Sequence, residues 1–218
     1  MPHMTKQELR EDPVLERIQG FLRLAEKNAR WLIGAAIVIL AIIVGVTMVQ
    51  RGKVRGEREA ATQLAEAQGA YLQGNLTAAE SGFRQIVDSH GGTSSGRVAR
   101  VYLADVLQAM GRSQDALKLY EDASGGKNPV LEVAALRGQA AALEDLGRFA
   151  DASKAYERAA AKAPFLQTED LISAGRTALK GGDAARAKGF FEQAQKKTQG
   201  DKQAEVALLL AEAEAALK

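Results

Sequence analysis

The sequence predicts an all-α protein in which a single transmembrane helix precedes an α-solenoid of about four helix pairs and a C-terminal capping helix. Three observations support this prediction. Residues 31–50 carry no charge and are almost entirely apolar. A glycine-containing pattern then recurs four times along the rest of the chain. Helix-favouring residues are abundant throughout, and no segment of useful length alternates between apolar and polar residues as a strand would.

Composition excludes several classes of function. The chain has 29 Lys and Arg against 27 Asp and Glu, and a net charge of +2 is too small to favour nucleic-acid binding. The absence of cysteine excludes disulfides, a thiolate nucleophile and a cysteine metal site. His3 and His90 stand alone, and the sequence has no zinc-protease motif, phosphate-binding glycine loop or nucleophile elbow. We therefore predict no catalytic residues, no cofactor and no bound metal.

The N-terminal tail, residues 1–30, contains an amphipathic segment. Asp12 and Pro13 supply a helix N-cap and a first helical residue. Apolar residues then recur at helical spacing on one face, namely Val14, Ile18, Phe21 and Leu22. Such a face favours contact with the membrane surface or a partner. A helical lead-in without a specific role remains the alternative.

Residues 31–50 are predicted to span the lipid bilayer as a helix. At a rise of about 1.5 Å per residue the segment is roughly 30 Å long, which matches the hydrocarbon core. Its apolar residues cover every face, unlike those of an amphipathic core helix. Because the preceding tail is long and acidic, we expect an uncleaved anchor rather than a signal peptide. Ala41 and Gly45 lie one turn apart and favour contact with another helix in the membrane.

Positive charge does not decide the orientation of this span. Basic residues close to a membrane segment favour the cytoplasmic side. Here each flank carries four within twenty residues: Arg17, Arg23, Lys27 and Arg30 before the span, and Arg51, Lys53, Arg55 and Arg58 after it. The orientation must therefore be inferred from other features.

The repeated pattern places a glycine, a polar residue, an alanine and an aromatic residue at fixed spacing. Its four copies are Gly74, Asn75, Ala79, Phe83; Gly111, Arg112, Ala116, Tyr120; Gly147, Arg148, Ala152, Tyr156; and Gly182, Asp183, Ala187, Phe191. A segment with small and apolar residues at helical spacing precedes each glycine. Small residues let two antiparallel helices approach, the glycine permits the turn, and the aromatic side chain fills the space between neighbouring pairs.

At these residues the chain resembles the tetratricopeptide repeat (TPR) family, and the best match is residues 147–164, GRFADASKAYERAAAKAP. The resemblance covers about residues 60–200. With the features above, it gives five predicted segments: a tail (1–30), a transmembrane helix (31–50), a connector (51–59), four repeats (60–200) and a capping helix (201–218).

The resemblance implies a protein-binding scaffold. The family's concave groove holds a peptide or another protein's surface, and its positions correspond here to Val98, Val101, Asp105, Gln108, Arg137, Ala141, Glu144, Ile172 and Arg176. The asparagine that some TPR proteins use to hold a C-terminal carboxylate is not matched, since the equivalent positions are Ala65, Tyr102, Gly138 and Ser173. We therefore expect a protein partner of another kind.

The order of tail, single span and repeats resembles translocon-associated TPR proteins of bacterial inner membranes. That resemblance implies a cytoplasmic tail, periplasmic repeats and client polypeptides as partners. Two hypotheses follow, a membrane-anchored adaptor and a fixed accessory subunit of a respiratory, photosynthetic or secretory complex.

Overall fold

The computed structural model describes residues 28–125, 128–200 and 202–218, and the regular elements within them are all helical. The predicted amphipathic tail helix, with Val14, Ile18, Phe21 and Leu22, lies outside these residues. The α-helices are α1 (Ala29–Leu72), α2 (Leu76–His90), α3 (Ser94–Ala109), α4 (Ser113–Ala123), α5 (Pro129–Asp145), α6 (Phe149–Lys162), α7 (Gln167–Lys180), α8 (Ala184–Lys197) and α9 (Lys202–Ala215). A 3₁₀ turn, Pro164–Leu166, links α6 to α7.

The chain divides into two units, Met1–Val54 and Arg55–Lys218. In the first unit, residues 31–50 form part of α1 and every one of them is exposed. Trp31, for example, is 83% exposed. The helix continues through residues 51–59, for which the sequence suggested a connector. That segment contains Gly52 and Gly56 but no proline, so its helix propensity is lowered while every hydrogen-bond donor is kept.

The second unit contains four helix pairs followed by α9, as the sequence predicts. The turn between α5 and α6 shows how each pair is closed. Gly147 adopts a φ of 71°, which a residue with a Cβ rarely accepts. Its amide donates to the Glu144 carbonyl over 2.9 Å, and the Arg148 amide donates to the Leu143 carbonyl over 2.8 Å. The equivalent glycines also have positive φ, namely Gly74, Gly111 and Gly182. Their predicted role in the turns is confirmed.

Aromatic side chains from the second helices fill the space between helices. The Tyr120 side chain, on α4, is buried against Gly138 on α5, where an added Cβ would lie 2.2 Å from the ring. Phe191 on α8 is buried against Gly175 on α7, the first helix of its own pair, at 2.4 Å from an added Cβ. A glycine therefore gives each ring the room it needs. The predicted filling of the space between neighbouring pairs is confirmed for Tyr120, whereas Phe191 meets Gly175 within its own pair.

Helix α9 covers the last pair. Val206 and Ala213 are fully buried and belong to clusters that include Phe190 and Phe191 of α8. Leu209 and Leu210 are partly buried beside them. These four residues form the apolar face with which the predicted capping helix packs on the fourth pair.

A carboxylate joins the first two repeats. Glu57, near the start of the repeat domain, accepts hydrogen bonds from the backbone amides of Ser94 and Ser95 over 2.7 and 2.9 Å. The Ser95 hydroxyl donates to the same carboxylate over 2.7 Å. These groups lie at the start of α3, so Glu57 caps the helix from another element. The Ser95 side-chain hydrogen bond is the largest cause that holds the pKa of Glu57 below its ordinary value.

We expect Gly138→Ala to destabilise the repeat domain, because the new methyl group and the Tyr120 ring cannot occupy the same space. Overpacking of this kind costs about 1–3 kcal/mol. Gly189→Ala is the matched control, since no atom lies within 4 Å of an added Cβ there, and it should stabilise α8 by about 0.5–1 kcal/mol. Thermal unfolding of the purified chain in mild detergent checks both. Equal midpoints for the two variants would contradict this packing.

We expect Glu57→Gln to destabilise the chain by about 1 kcal/mol at neutral pH, because the α3 cap loses its charge and one acceptor. A lowered carboxyl pKa adds stability above the unfolded pKa, and this stability is lost as the pH falls through the folded pKa. The difference from wild type should therefore shrink below about pH 4. Unfolding midpoints across pH measure it. Glu66→Gln, at an exposed position of the same helix, should match wild type throughout.

Candidate protein-binding groove

The nine predicted groove residues lie on α3, α5 and α7, the first helices of the second, third and fourth pairs. Helix α3 packs against α5, and α7 packs against α9. We call the side of α3, α5 and α7 that carries these nine residues the groove surface. Each of its positions therefore belongs to a helix that also contacts a neighbouring repeat.

Polar residues of the groove surface bind side chains of the next repeat. Gln108 Nε2 donates to Asp145 Oδ2 over 2.8 Å, and the Ser113 hydroxyl donates to the same atom over 3.0 Å. Arg176 Nη2 forms an ion pair with Glu205 Oε1 at 2.8 Å. These bonds join residues about one repeat apart. They fix the helices relative to one another across the surface.

Glu144 makes the same kind of connection between α5 and α7. Its Oε1 accepts from the Thr177 hydroxyl over 2.8 Å, and its Oε2 pairs with Lys180 Nζ at 2.6 Å. The negative charge of Glu144 is thus already neutralised by Lys180. A partner that approaches this part of the groove surface meets a closed ion pair.

Arg137 and Asp170 form the most buried ion pair of the surface. Arg137 Nε lies 2.6 Å from Asp170 Oδ1, and the side chains are 34% and 3% exposed. The second oxygen, Asp170 Oδ2, is buried without a hydrogen-bond partner among the described residues. Arg137 is therefore the single partner that the structure gives this buried carboxylate. Arg137 thus has a structural role in addition to the binding role that the sequence suggested.

Asp105 lies in a different environment from Glu144, the other acid among the nine groove residues. The Tyr120 hydroxyl donates to its Oδ1 over 2.5 Å, and no cation pairs with it in the described part of the chain. Burial raises the pKa of Asp105, and burial together with the Asp105 hydrogen bond raises the pKa of Tyr120. Asp105 thus anchors the ring that fills the space beside Gly138.

The apolar members of the set divide into core and surface. Val101 and Ile172 are 7% and 6% exposed and belong to the core. Val98 and Ala141 are half-buried, which leaves part of each accessible to a partner. All nine residues lie on first helices, whereas their partners Asp145, Asp170 and Glu205 were not predicted from the sequence. Opposite charges one repeat apart were the signal that could have revealed the last two.

The structure also locates the predicted contact site within the span. Ala41 and Gly45 lie on the same turn-to-turn stripe of α1, and nothing approaches within 4 Å of an added Cβ at Gly45.

Within the described residues, α1 is the one helix long and apolar enough to cross a membrane by length and composition. No group of three metal-ligating side chains is found in the same part of the chain.

Comparison with known proteins shows what the chain is similar to. A family model described as tetratricopeptide repeat-like domain matches residues 59–174. A search of curated proteins returns no significant match.

Three solved structures show the similarity of fold. TPR-like repeats of a putative kinesin light chain from Podospora anserina have 20% identity and a TM-score of 0.60, with 74% of this chain and 88% of that chain covered. A TPR protein of Parabacteroides merdae has 16% identity and a TM-score of 0.60, over 72% and 61% of the two chains. The Pseudomonas aeruginosa protein pilF has 21% identity and a TM-score of 0.55, over 72% and 69%.

We expect Arg137→Ala to destabilise the chain strongly, because it leaves the buried Asp170 carboxylate without a cation. Breaking a buried pair from one side costs about 3 kcal/mol or more. Arg176→Ala should change stability by less than about 1 kcal/mol, since its pair with Glu205 is exposed. Unfolding midpoints in mild detergent separate the two. A small effect of Arg137→Ala would show that Asp170 is solvated.

Proposed function

The chain belongs to the tetratricopeptide repeat-like domain family, and we propose that it is a membrane-anchored scaffold that binds other proteins at the membrane surface. The TPR fold is generally a non-catalytic interaction scaffold, and we propose that this chain is not an enzyme. In this proposal residues 31–50 cross the bacterial inner membrane, the tail is cytoplasmic and the repeats are periplasmic. The scaffold acts as a translocon-associated adaptor for client polypeptides.

The exposed apolar segment of α1 carries the proposal. Residues 31–50 are uncharged, and every one of them is exposed in the structure. A surface of this extent is unfavourable in water, since soluble monomers rarely expose an apolar patch above a few hundred Å². In lipid the same surface is favourable, because the leucine, isoleucine and valine residues together favour insertion by about 3–7 kcal/mol. The helix satisfies its own backbone hydrogen bonds, as a span must.

The repeat domain supplies the binding function. Its first helices are held in place by bonds between repeats, such as Glu144 to Lys180 and Arg137 to Asp170. A surface fixed before binding loses less conformational entropy when a partner docks. Among the groove positions, Arg176 is exposed, and Val98 and Ala141 are half-buried apolar residues. We propose these three as partner contacts of the groove surface.

Two further contacts belong to the same proposal. Ala41 and Gly45 present a small-residue stripe to a neighbouring helix within the bilayer. The amphipathic face of Val14, Ile18, Phe21 and Leu22 binds the membrane surface or a partner on the opposite side. The small-residue stripe would place the chain beside another membrane protein rather than alone in lipid.

Extraction of membranes tests the anchor. We expect the chain to stay in the membrane pellet at alkaline pH, and a variant with Ile39→Arg and Ile43→Arg to be released. Each arginine at the centre of a span costs about 2.5–3.5 kcal/mol, so two reverse the preference for lipid. Leu208→Arg, at an exposed apolar position outside the segment, is the matched control and should stay in the pellet. Release of the wild-type chain would contradict the anchor.

The same membranes report orientation and partners. Protease added to intact spheroplasts should degrade the repeat domain, and protection of that domain would place it in the cytoplasm. Solubilisation in mild detergent then separates the two kinds of partner. A substoichiometric mixture of unfolded clients supports the adaptor, whereas a stoichiometric, salt-resistant set of proteins would make the chain a fixed subunit of a membrane complex.

A further inference from the structure

An apolar cavity of about 390 Å³ lies outside the set of nine groove residues, apart from Arg137 at its edge. It is formed where the start of α5, the end of α6 and the 3₁₀ turn Pro164–Leu166 meet. Val133, Ala163 and Leu166 belong to one buried apolar cluster and also line the cavity. Its inner wall is therefore continuous with the core of the third repeat.

Two large apolar side chains stand exposed at the mouth of this cavity. Val130 is 72% exposed and Phe165 is 78% exposed. Each follows a proline, Pro129 or Pro164, which begins a helical element and fixes the backbone there. An exposed phenylalanine beside an open apolar cavity indicates an interaction surface. A bound partner would remove both the ring and the cavity wall from water.

Two basic side chains, Arg137 and Lys162, lie at the edge of the cavity, and each is already paired with one acid. Arg137 uses Nε for Asp170, and its two Nη groups donate to no described residue. Lys162 pairs with Glu132 over 2.9 Å through one of its three possible donors, and its side chain is 52% exposed. An occupant with a carboxylate beside apolar groups would match this arrangement.

We propose that this cavity binds an extended peptide segment of another protein, in which neighbouring apolar side chains are followed by an acidic residue. The apolar side chains fill the cavity and cover Val130 and Phe165, while the acidic side chain pairs with Lys162 and Arg137. The cavity is too small for a helix about 10 Å wide but takes individual side chains. The proposal rests on the scaffold function, for which it names the class of client.

The shape of the site favours a peptide over a free fatty acid. An acyl chain needs an enclosed channel, whereas here the apolar surface continues beyond the cavity onto the exposed Val130 and Phe165 side chains. A peptide places one side chain inside the cavity and its neighbours on the rim. Exposed apolar segments of this composition occur in unfolded polypeptides, which agrees with the client-binding role.

A binding measurement on the full chain in phosphatidylcholine nanodiscs tests the site. The probe is a fluorescein-labelled peptide of about ten residues with a leucine–phenylalanine–leucine core followed by two aspartates, read by anisotropy against empty nanodiscs. We expect Phe165→Asp to weaken binding at least about tenfold, as loss of a central aromatic contact does. Leu208→Asp, at an equally exposed apolar position on α9, is the control and should bind like wild type.

A charge exchange tests the polar half of the proposal. A second probe carries two lysines in place of the aspartates. Wild type should prefer the acidic probe, and Lys162→Glu should reduce or reverse that preference without loss of helix content. Equal binding of both probes to wild type would overturn the acidic requirement. Unchanged binding of the peptide by Phe165→Asp would overturn the peptide site, whether or not decanoate displaces the peptide.

The outcome is separable from that of the proposed function. Phe165→Asp leaves residues 31–50 intact, so membrane retention of this variant should equal that of wild type. If wild type does not bind the probe but is retained in membranes and captures partners normally, this inference alone is contradicted. Release of the chain from membranes with intact probe binding would remove the anchor and leave the cavity site.

Discussion

The repeat domain depends on the burial of aromatic side chains from second helices against first helices that leave room for them. Tyr120 and Phe191 show the requirement most clearly, because each ring occupies the position that a side chain at Gly138 or Gly175 would fill. Tyr120 joins α3 and α5, since its hydroxyl bonds Asp105 and its ring packs against Gly138. Gln108 of α3 is then near enough to bond Asp145 of α5. The polar contacts across the groove surface are thus a consequence of the apolar packing beneath it.

Because the groove surface rests on packed helices, its residues serve two roles, folding stability and partner contact. Arg137 neutralises the buried Asp170 carboxylate, and the free energy of that pair belongs to folding. Arg176 pairs at the solvent boundary, where an ion pair contributes little to stability and exchanges readily for a partner's carboxylate. Substitutions at these two arginines, which lie about one repeat apart, therefore test different properties of the chain. Loss of binding by an Arg137 variant would reflect structure first, whereas loss by an Arg176 variant would reflect contact.

Sequence reasoning recovers the features whose cause is local or periodic. The turn at Gly147 needs only a residue that accepts positive φ, and the apolar face of α9 needs only helical spacing. The partners of the groove residues were missed because they depend on the register between helices some thirty residues apart, which a single repeat does not encode. The apolar cavity was missed for a related reason: Phe165 lies in a connection between repeats, where the periodic pattern carries no information. The two proline–apolar pairs at its mouth were the local signal.

The charges around the cavity limit how tightly it can hold a peptide. Lys162 already pairs with Glu132 and Arg137 with Asp170, so an incoming carboxylate shares these cations rather than meeting free ones. The net gain from an exposed, shared ion pair is small and falls as salt screens it. Most of the affinity must then come from burying apolar area at Val130 and Phe165, while the charge selects among apolar segments and speeds their approach. A site of this kind would bind many segments weakly, and the proposed membrane anchor would compensate by raising their local concentration near the scaffold.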